Sequence, residues 1–194
     1  VNAYYMDVEN LLVARRVAED RFVGINAGST SHPGVEFSVK SNLTYKSWLS
    51  LQPYINGSLN FYEFDDFVDQ GNSFSGNDLT GVPSSQFSFG LDAQLQDRFY
   101  VYFQTNAVSS IPVNDANTVF SEAYAFSNIK LEYRFSILKT LSARVNFGVN
   151  NLFDEKYASS IVTNAIGFGG SEPRYFYPGE PRNYFGSLAI NYVF

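Results

Sequence analysis

The stretch Leu141-Ser142-Ala143-Arg144-Val145-Asn146-Phe147-Gly148-Val149 decides how the chain is expected to fold. Its odd positions are apolar, and its even positions are polar or glycine. Because successive side chains of a β-strand point to opposite faces, this alternation predicts a strand with one apolar face and one polar face.

The same alternation recurs along most of the chain, which predicts an all-β protein of about eight strands without helices. Many of these strands reach about 10 residues, the length of a tilted strand that crosses a bilayer, whereas soluble strands usually have about 5–6. The predicted strands are Val35–Leu43, Leu49–Phe61, Phe87–Leu95, a strand that opens with Phe99–Phe103, Ile129–Phe135, Leu141–Val149 and Tyr184–Phe194, with a weaker candidate at Tyr4–Val13.

The connections between these strands are of two kinds, short and long. The short ones are Lys46–Trp48, Gln96–Arg98 and Ser136–Thr140, and the long ones are Ala14–Val23, Asp65–Ser85, Ile111–Ala123 and Asn151–Arg182. An up-and-down antiparallel outer-membrane barrel has short periplasmic turns and longer outer loops. The connection lengths therefore favour that architecture.

Composition excludes several classes of protein. The 194 residues include 19 Phe, 14 Tyr and 14 Gly but no Cys, which rules out disulfides and thiolate metal sites. The net charge of −6, without a basic stripe, argues against nucleic-acid binding. No apolar run approaches the roughly 20 residues of a membrane helix. The mean hydropathy of −0.15 is compatible with a membrane barrel, whose strands alternate apolar and polar residues.

Alternation alone does not tell a membrane barrel from a soluble one, because the two differ only in which face is turned to water. Charged residues lie in the middle of the polar faces, where a wide aqueous lumen would tolerate them, and aromatic residues crowd the strand ends as in an interfacial girdle. The charged residues are Lys40, Asp92, Lys130, Glu132 and Arg144. These features favour the membrane barrel.

Four segments carry a more specific pattern: Asn26–Glu36, Leu79–Pro83, Gly148–Tyr157 and Tyr177–Tyr184. In this order they resemble the C-terminal barrel of TonB-dependent outer-membrane receptors of the siderophore type, in which N-L-F-D-x-x-Y marks the top of a strand. Here that motif reads Asn151-Leu152-Phe153-Asp154-Glu155-Lys156-Tyr157. Pro33 replaces a basic residue that is usual in the family. Glu180 and Pro181 stand where Arg usually follows Pro-Gly.

The resemblance implies a segment of a transmembrane barrel of about 22 antiparallel strands around a plugged lumen. Residues 1–194 would be its C-terminal part, with the plug domain and the first barrel strands outside this chain. It implies a non-enzymatic bacterial outer-membrane transporter that imports a scarce ligand, such as a ferric siderophore, and engages the TonB complex through the plug. A small self-contained outer-membrane barrel with a structural or pore role and a soluble β-barrel binding module remain alternatives.

The last predicted strand ends on an aromatic residue, and alternate positions before it are apolar: Leu188, Ile190, Tyr192 and Phe194. This pattern resembles the signal that the outer-membrane barrel assembly machinery reads. The simpler interpretation is a barrel strand with one face toward lipid.

Candidate ligand-binding residues lie in the long loops. Asp65, Asp66 and Asp69 form an acidic group that lacks the spacing of a calcium loop, so a solvated loop is the simpler interpretation. Arg174, Tyr175, Tyr177 and Arg182 are suited to an anionic ligand or to packing within the loop. The only histidine, His32, is interpreted as a loop residue. We predict no catalytic residue, cofactor or metal site.

Overall fold

The structure is a computed structural model that describes residues 1–18, 21–26 and 28–193. Within these ranges the chain is all-β, and no helix is long and apolar enough to cross a bilayer. The strands are β1 Asn2–Tyr4, β2 Asp7–Glu9, β3 Leu12–Ala18, β4 Arg21–Asn26, β5 Ser29–Ser31, β6 Gly34–Lys40, β7 Leu43–Tyr45, β8 Leu49–Asn60, β9 Glu63–Asp66, β10 Val68–Asp69, β11 Asn72–Ser73, β12 Ser85–Leu95, β13 Phe99–Val108, β14 Tyr124–Leu138, β15 Leu141–Asn150, β16 Ala158–Ile161, β17 Phe176–Pro178 and β18 Asn183–Tyr192.

One large antiparallel sheet forms the body of the molecule. Its strand order is β1-β6-β8-β12-β13-β14-β15-β18, and β7 also pairs with β8. From β8 onward each long strand pairs with the next one along the chain, as expected for an up-and-down barrel wall. In the described part of the chain β1 and β18 do not pair with each other, so the sheet is an open arc.

The long strands predicted from the sequence are confirmed from β8 onward, but two predictions near the start of the chain are wrong. Val35–Leu43 is split into β6 and β7, because Pro53 on the facing strand has no N–H to donate and only accepts a bond from Ser41 N (3.0 Å). Tyr4–Val13 is divided among β1, β2 and β3, and at the break between β2 and β3 Asn10 takes a left-handed conformation (φ 58°) that redirects the backbone.

Three of the four long connections carry strands of their own, which alternation did not predict. Ala14–Val23 lies within the β3–β4 hairpin, Asp65–Ser85 contains β10 and β11, and Asn151–Arg182 contains β16 and β17. All four predicted long connections emerge at the same end of the large sheet, and the short turns lie at the other. The predicted asymmetry of the two ends is therefore confirmed.

Register collects the apolar side chains on one face of the sheet. One row across four strands reads Phe99, Tyr133, Val145 and Leu188. These side chains are exposed: Val145 and Leu188, for example, have 42% and 63% of their surface accessible. A contiguous exposed apolar face of this kind marks a surface that contacts lipid or another protein.

The opposite face is polar, and several of its charged side chains have partners within the sheet. Glu132 is 4% exposed and accepts a bond from Arg134 Nε at 2.5 Å. The guanidinium of Arg134 also lies 3.9 Å from the ring centre of Tyr100, and Lys130 Nζ lies 3.9 Å from that of Tyr102. Such cation–π contacts partly compensate the cations for lost hydration.

The buried apolar core lies in the loops rather than in the sheet. Phe64 (0% exposed), Phe67 and Leu79 form it, and partly buried side chains pack around them, among them Leu11, Ile25, Tyr62, Phe74 and Val82. The rings of Phe64 and Phe67 are 4.9 Å apart, and those of Phe67 and Phe74 are 5.5 Å apart. This core gives the long connections a defined structure, since buried apolar surface offsets the entropy of ordering them.

Several glycines lie directly beneath aromatic rings. A Cβ at Gly148 would overlap the ring of Phe185, its cross-strand partner, and a Cβ at Gly90 would overlap Tyr54. The missing side chain lets a large ring lie flat across the neighbouring strand, which shields the glycine backbone.

We therefore expect Gly148→Ala to destabilise the sheet by roughly 1–3 kcal/mol, because the ring of Phe185 must leave its position. The measurement is urea unfolding of the refolded protein in detergent. Gly186→Ala is the matched control, because a Cβ there would meet only Asn146 O at 3.6 Å. Equal destabilisation by the two substitutions would contradict this account.

Candidate functional site

The long connections converge above the sheet and are joined by backbone hydrogen bonds. Gly81 N donates to Pro112 O at 2.8 Å, and Asn164 N donates to Val113 O at 2.8 Å. Val113 is completely buried at this junction. Three loops distant in sequence are thereby held as one unit.

Asp115 is the polar centre of this unit. Its carboxylate accepts bonds from Thr80 Oγ1 (2.6 Å) and Asn164 Nδ2 (3.0 Å), while its N–H donates to Asn164 Oδ1 (3.1 Å). Asn77 Nδ2 donates to Asp115 O at 2.7 Å. Because Asp115 is buried, removing any of these partners would leave a desolvated group unpaired.

A cleft of about 560 Å³ opens beside Asp115, and we call it the loop cleft. Its walls come from the β3–β4 and β10–β11 hairpins, the 114–116 and 164–166 segments, and Tyr175. The lining side chains discussed below are Arg15, Ile25, Asp69, Gln70, Asn72, Phe74, Asn164, Ile166 and Tyr175. The volume is within the range of small-molecule sites, about 300–1,000 Å³.

The loop cleft combines an ion pair with apolar and amide groups. Arg15 and Asp69 form the ion pair, and Arg15 Nε is buried without a hydrogen-bond partner. Phe74, Ile25 and Ile166 supply apolar surface, while Gln70 and Asn72 supply amides. Such a lining suits a ligand with an apolar body and polar groups at its edge.

The structure separates the ligand-binding candidates predicted from the sequence. Asp69 and Tyr175 line the loop cleft, whereas Asp65 and Asp66 are exposed on β9 outside it. Arg174 and Tyr177 are exposed and do not line it, and Arg182 takes part in the contact described below. Ligand binding by Asp69 and Tyr175 stays a prediction.

Asp65, Asp66 and Asp69 do not belong to a cluster of metal-ligating side chains in the part of the chain that the structure describes. In the described ranges, no group of three or more His, Asp or Glu side chains is close enough to hold a metal ion. The carboxylate of Asp69 instead forms an ion pair with the guanidinium of Arg15.

Sequence reasoning missed Arg15, Asp115 and Asn164. Arg15 falls in a stretch predicted to be a loop, and in the structure it lies on β3. Asp115 and Asn164 are 49 residues apart, so neither local pattern nor spacing reveals that they meet. Their only sequence signal is their position in two long connections.

The N-L-F-D-x-x-Y motif holds the last long loop at the end of β15. Asn151 is 3% exposed, and its Nδ2 donates to Glu155 O (2.8 Å) and Glu180 O (3.0 Å). Its Oδ1 accepts a bond from Glu155 N at 2.8 Å. One side chain therefore joins the beginning and the end of the 151–182 loop.

Residues 151–157 and 178–182 are held together by further contacts, and we call these two bound segments the strap. Asp154 Oδ1 accepts a bond from Arg182 N at 2.9 Å, and its carboxylate lies 3.8 Å from the Arg182 guanidinium. The ring of Tyr157 stacks on Phe126 at 4.8 Å, and Gly179 N donates to Tyr157 O at 2.7 Å. A Cβ at Gly179 would overlap the Tyr157 ring. The third and fourth sequence motifs thus form one structural unit.

We expect Asn151→Gly to release the strap and to increase trypsin cleavage at Lys156, because the lost side-chain bonds stabilise it by roughly 1–3 kcal/mol. Glycine keeps the positive φ of 50° accessible, so the change isolates the side chain. Asn10→Gly is the control, since Asn10 also has a positive φ (58°) but lies in another loop. Unchanged cleavage in Asn151→Gly would show that the strap does not depend on this residue.

His32 lies outside the strands, directly after β5 of the small sheet β2-β5-β9. Its ring stacks on Tyr62 (4.6 Å between centres), and its Nε2 is 2.8 Å from Thr30 Oγ1. The backbone N–H of His32 donates to Met6 O at 2.8 Å. Burial lowers the pKa of His32 below its usual value, and the nearby charge of Asp65 opposes this shift. The lowered pKa of His32 favours the neutral form of its ring.

Because the pKa of His32 is lower in the folded state than in the unfolded chain, protonation of its ring favours local unfolding of this region. Its contribution to stability is complete above the ordinary pKa of about 6.5 and is lost as the pH falls from there toward the lowered pKa. We expect faster hydrogen exchange of the Asp7–Glu9 and Ser29–Ser31 amides at pH 5 than at pH 7.5, corrected for intrinsic rates. In His32→Gln this difference should disappear. Its persistence would mean that another group is responsible.

The sequence matches the model of a known protein family, and the structure is similar to several solved structures. Residues 1–152 match the family model described as TonB dependent receptor-like, beta-barrel. The structure is similar to the ferric-catecholate import receptor Fiu from K12 E. coli in its closed form, with 24% identity, 98% of this chain and 24% of that chain covered, and a TM-score of 0.64. It is also similar to BauA, the ferric preacinetobactin receptor from Acinetobacter baumannii (16%, 98% and 26%, TM-score 0.68), and to the copper transporter OprC (16%, 99% and 28%, TM-score 0.63).

The chain spans about a quarter of the length of these three solved structures. Their identities to it are low, so the likeness shows the fold alone.

Proposed function

The chain belongs to the TonB-dependent receptor-like β-barrel family, and from that membership we propose that it forms the C-terminal part of the barrel of a TonB-dependent transporter. The rest of the barrel and a plug domain lie outside residues 1–194 in this proposal. The transporter resides in the bacterial outer membrane, imports a scarce ligand, and has no catalytic role of its own.

The observation that carries the proposal is the division of the open sheet into an exposed apolar face and a polar face. An arc with lipid outside and water inside needs this arrangement, whereas a closed soluble domain would bury its apolar face. The open edges at β1 and β18 also argue against a small self-contained barrel, because unpaired backbone groups are costly within a bilayer.

The transported ligand in this proposal is a metal chelate, with a ferric siderophore as the first candidate. Two of the similar structures are receptors for ferric ligands, and one is a copper transporter. The loop cleft, which lies at the end of the sheet with the long connections, is the proposed part of the ligand site contributed by this chain.

The proposed partners are outer-membrane lipid, the TonB complex acting through the plug, and the barrel assembly machinery. Leu188 and Ile190 are exposed on the apolar face of β18, where an assembly factor could read them. Tyr192 is on the same face, and Phe194 lies outside the described residues. Recognition of these four residues by the assembly machinery stays a proposal.

We expect the chain to gain β-structure on refolding only when detergent covers its apolar face. Circular dichroism with and without detergent measures this, and heated and unheated samples should differ in gel mobility. A chain that folds cooperatively without detergent would contradict the assignment of the apolar face to lipid. It would instead favour the soluble binding module.

We expect Tyr175→Ala in the whole transporter to raise the half-saturating ligand concentration for uptake roughly 3- to 10-fold, as for the loss of one aromatic contact. Uptake of radioactive iron as a panel of ferric siderophores by iron-starved cells measures it. Tyr177→Ala is the matched control, because Tyr177 is exposed outside the loop cleft. Equal effects of the two substitutions would remove the loop cleft from the proposed ligand site.

A further inference from the structure

The charges that line the loop cleft do not cancel. Among its described lining residues Arg15 is the only cation, and its guanidinium forms an ion pair with Asp69. Asp115 adds a second carboxylate, which accepts hydrogen bonds from the neutral groups of Thr80 and Asn164. The lining therefore carries more negative than positive charge, and its one cation already has a partner.

The connections around the loop cleft carry the same sign of charge. The segments at this end of the sheet are residues 5–33, 61–84, 109–123 and 151–182, and their sequences contain 15 acidic and six basic residues, a net charge of −9 with histidine neutral. The rest of the chain has four acidic and seven basic residues, a net charge of +3. Negative charge is thus concentrated at the end of the sheet where the loop cleft lies.

The imbalance is greatest in two of the segments that form the loop cleft. Residues 61–84, which supply its β10–β11 wall, contain five acidic residues and no basic residue, and residues 109–123 contain two acidic residues and no basic residue. Glu63, Asp66 and Asp78 are exposed, so their charges face solvent. An approaching ligand therefore meets a negative field, which repels anions and attracts cations before any contact forms.

The other lining groups suit a ligand without negative charge. Phe74 and Tyr175 contribute aromatic rings, whose faces attract cations. Gln70 and Asn72 contribute amides, which bind neutral polar groups as donors or acceptors. Arg174 and Arg182, which the sequence made candidates for an anionic ligand, do not line the loop cleft.

Ferric chelates differ in net charge according to the groups that hold the iron. Each hydroxamate binds as a monoanion, so three hydroxamates leave the ferric complex neutral. Each catecholate binds as a dianion, so three catecholates leave the complex with a triple negative charge. A negative field at the binding site therefore separates the two classes, because it repels only the second.

We propose that the loop cleft selects neutral or cationic ferric chelates of the trihydroxamate class and excludes anionic tris-catecholate chelates. The inference rests on the proposed function and names the class of ligand that the proposed transporter takes. The similarity to the ferric-catecholate import receptor Fiu concerns the fold, whereas this selection depends on charges in the loops of the present chain.

The test measures uptake of radioactive iron through the whole transporter, in iron-starved cells that have no other receptor for hydroxamates. One linear trihydroxamate with a terminal amine is supplied in three forms, with a free ammonium group, acetylated or succinylated, so that only the charge of its tail changes. We expect the half-saturating concentration to rise in this order, and to be about tenfold higher for the succinylated than for the ammonium form at low salt. The difference should shrink at high salt, and a ferric tris-catecholate should not be taken up.

A substitution at Asp69 tests whether the charge of the loop cleft is responsible. Asp69→Asn leaves the guanidinium of Arg15 without its partner, so we expect the half-saturating concentration of the succinylated form to fall roughly fivefold. Asp69→Glu keeps the charge, and Asp66→Asn removes an exposed carboxylate outside the loop cleft. Both controls should keep the order of the three forms, and immunoblots of outer membranes check that each variant is assembled.

Three results would overturn the inference while leaving the proposed function intact. They are equal half-saturating concentrations for the three forms, a preference for the succinylated form, and uptake of a tris-catecholate or another ferric siderophore in place of the trihydroxamates. If the assembled transporter takes up no ferric chelate at all, the proposed function fails and the inference fails with it. The order of the three forms in the unsubstituted transporter decides the question even if Asp69→Asn does not assemble.

Discussion

The register of the antiparallel ladder is the constraint on which the rest of the structure depends. A slip of one residue between two strands would turn every side chain of one strand to the opposite face. With the observed pairing, Val145 and Leu188 meet on the apolar face, while Asn146 and Ser187 meet on the polar face. The two environments of the sheet therefore exist only because all of its long strands keep one register.

Since the apolar face of the sheet is exposed, the sheet buries little apolar surface of its own. The buried core lies instead among the long connections, around Phe64 and Phe67. Buried polar groups complete the order there: Asp115 binds Asn164 across two loops, and Asn151 binds Glu180 across one. Loops held in this way can form a cleft of fixed shape.

The charged side chains of the polar face are compensated to different degrees along the length of the strands. In its middle, Glu132 binds Arg134, and Tyr102 covers Lys130, so the charges are compensated within the sheet. At the short-turn end, Arg98 and Arg144 lack such partners among the described residues.

The sequence by itself determined the class of the fold, the long strands from β8 onward and the end of the sheet from which the long connections leave. These properties follow from local alternation, such as Leu141 to Val149, and from the distance between alternating segments. The break between β6 and β7, the break between β2 and β3 and the strands within the loops were not predicted, since alternation shows neither a proline on the facing strand nor the left-handed backbone of Asn10. Only the tertiary structure decided which loop residues meet. Asp69 and Tyr175 come together with Arg15, and Asp115 with Asn164, through contacts between distant segments that no local period encodes.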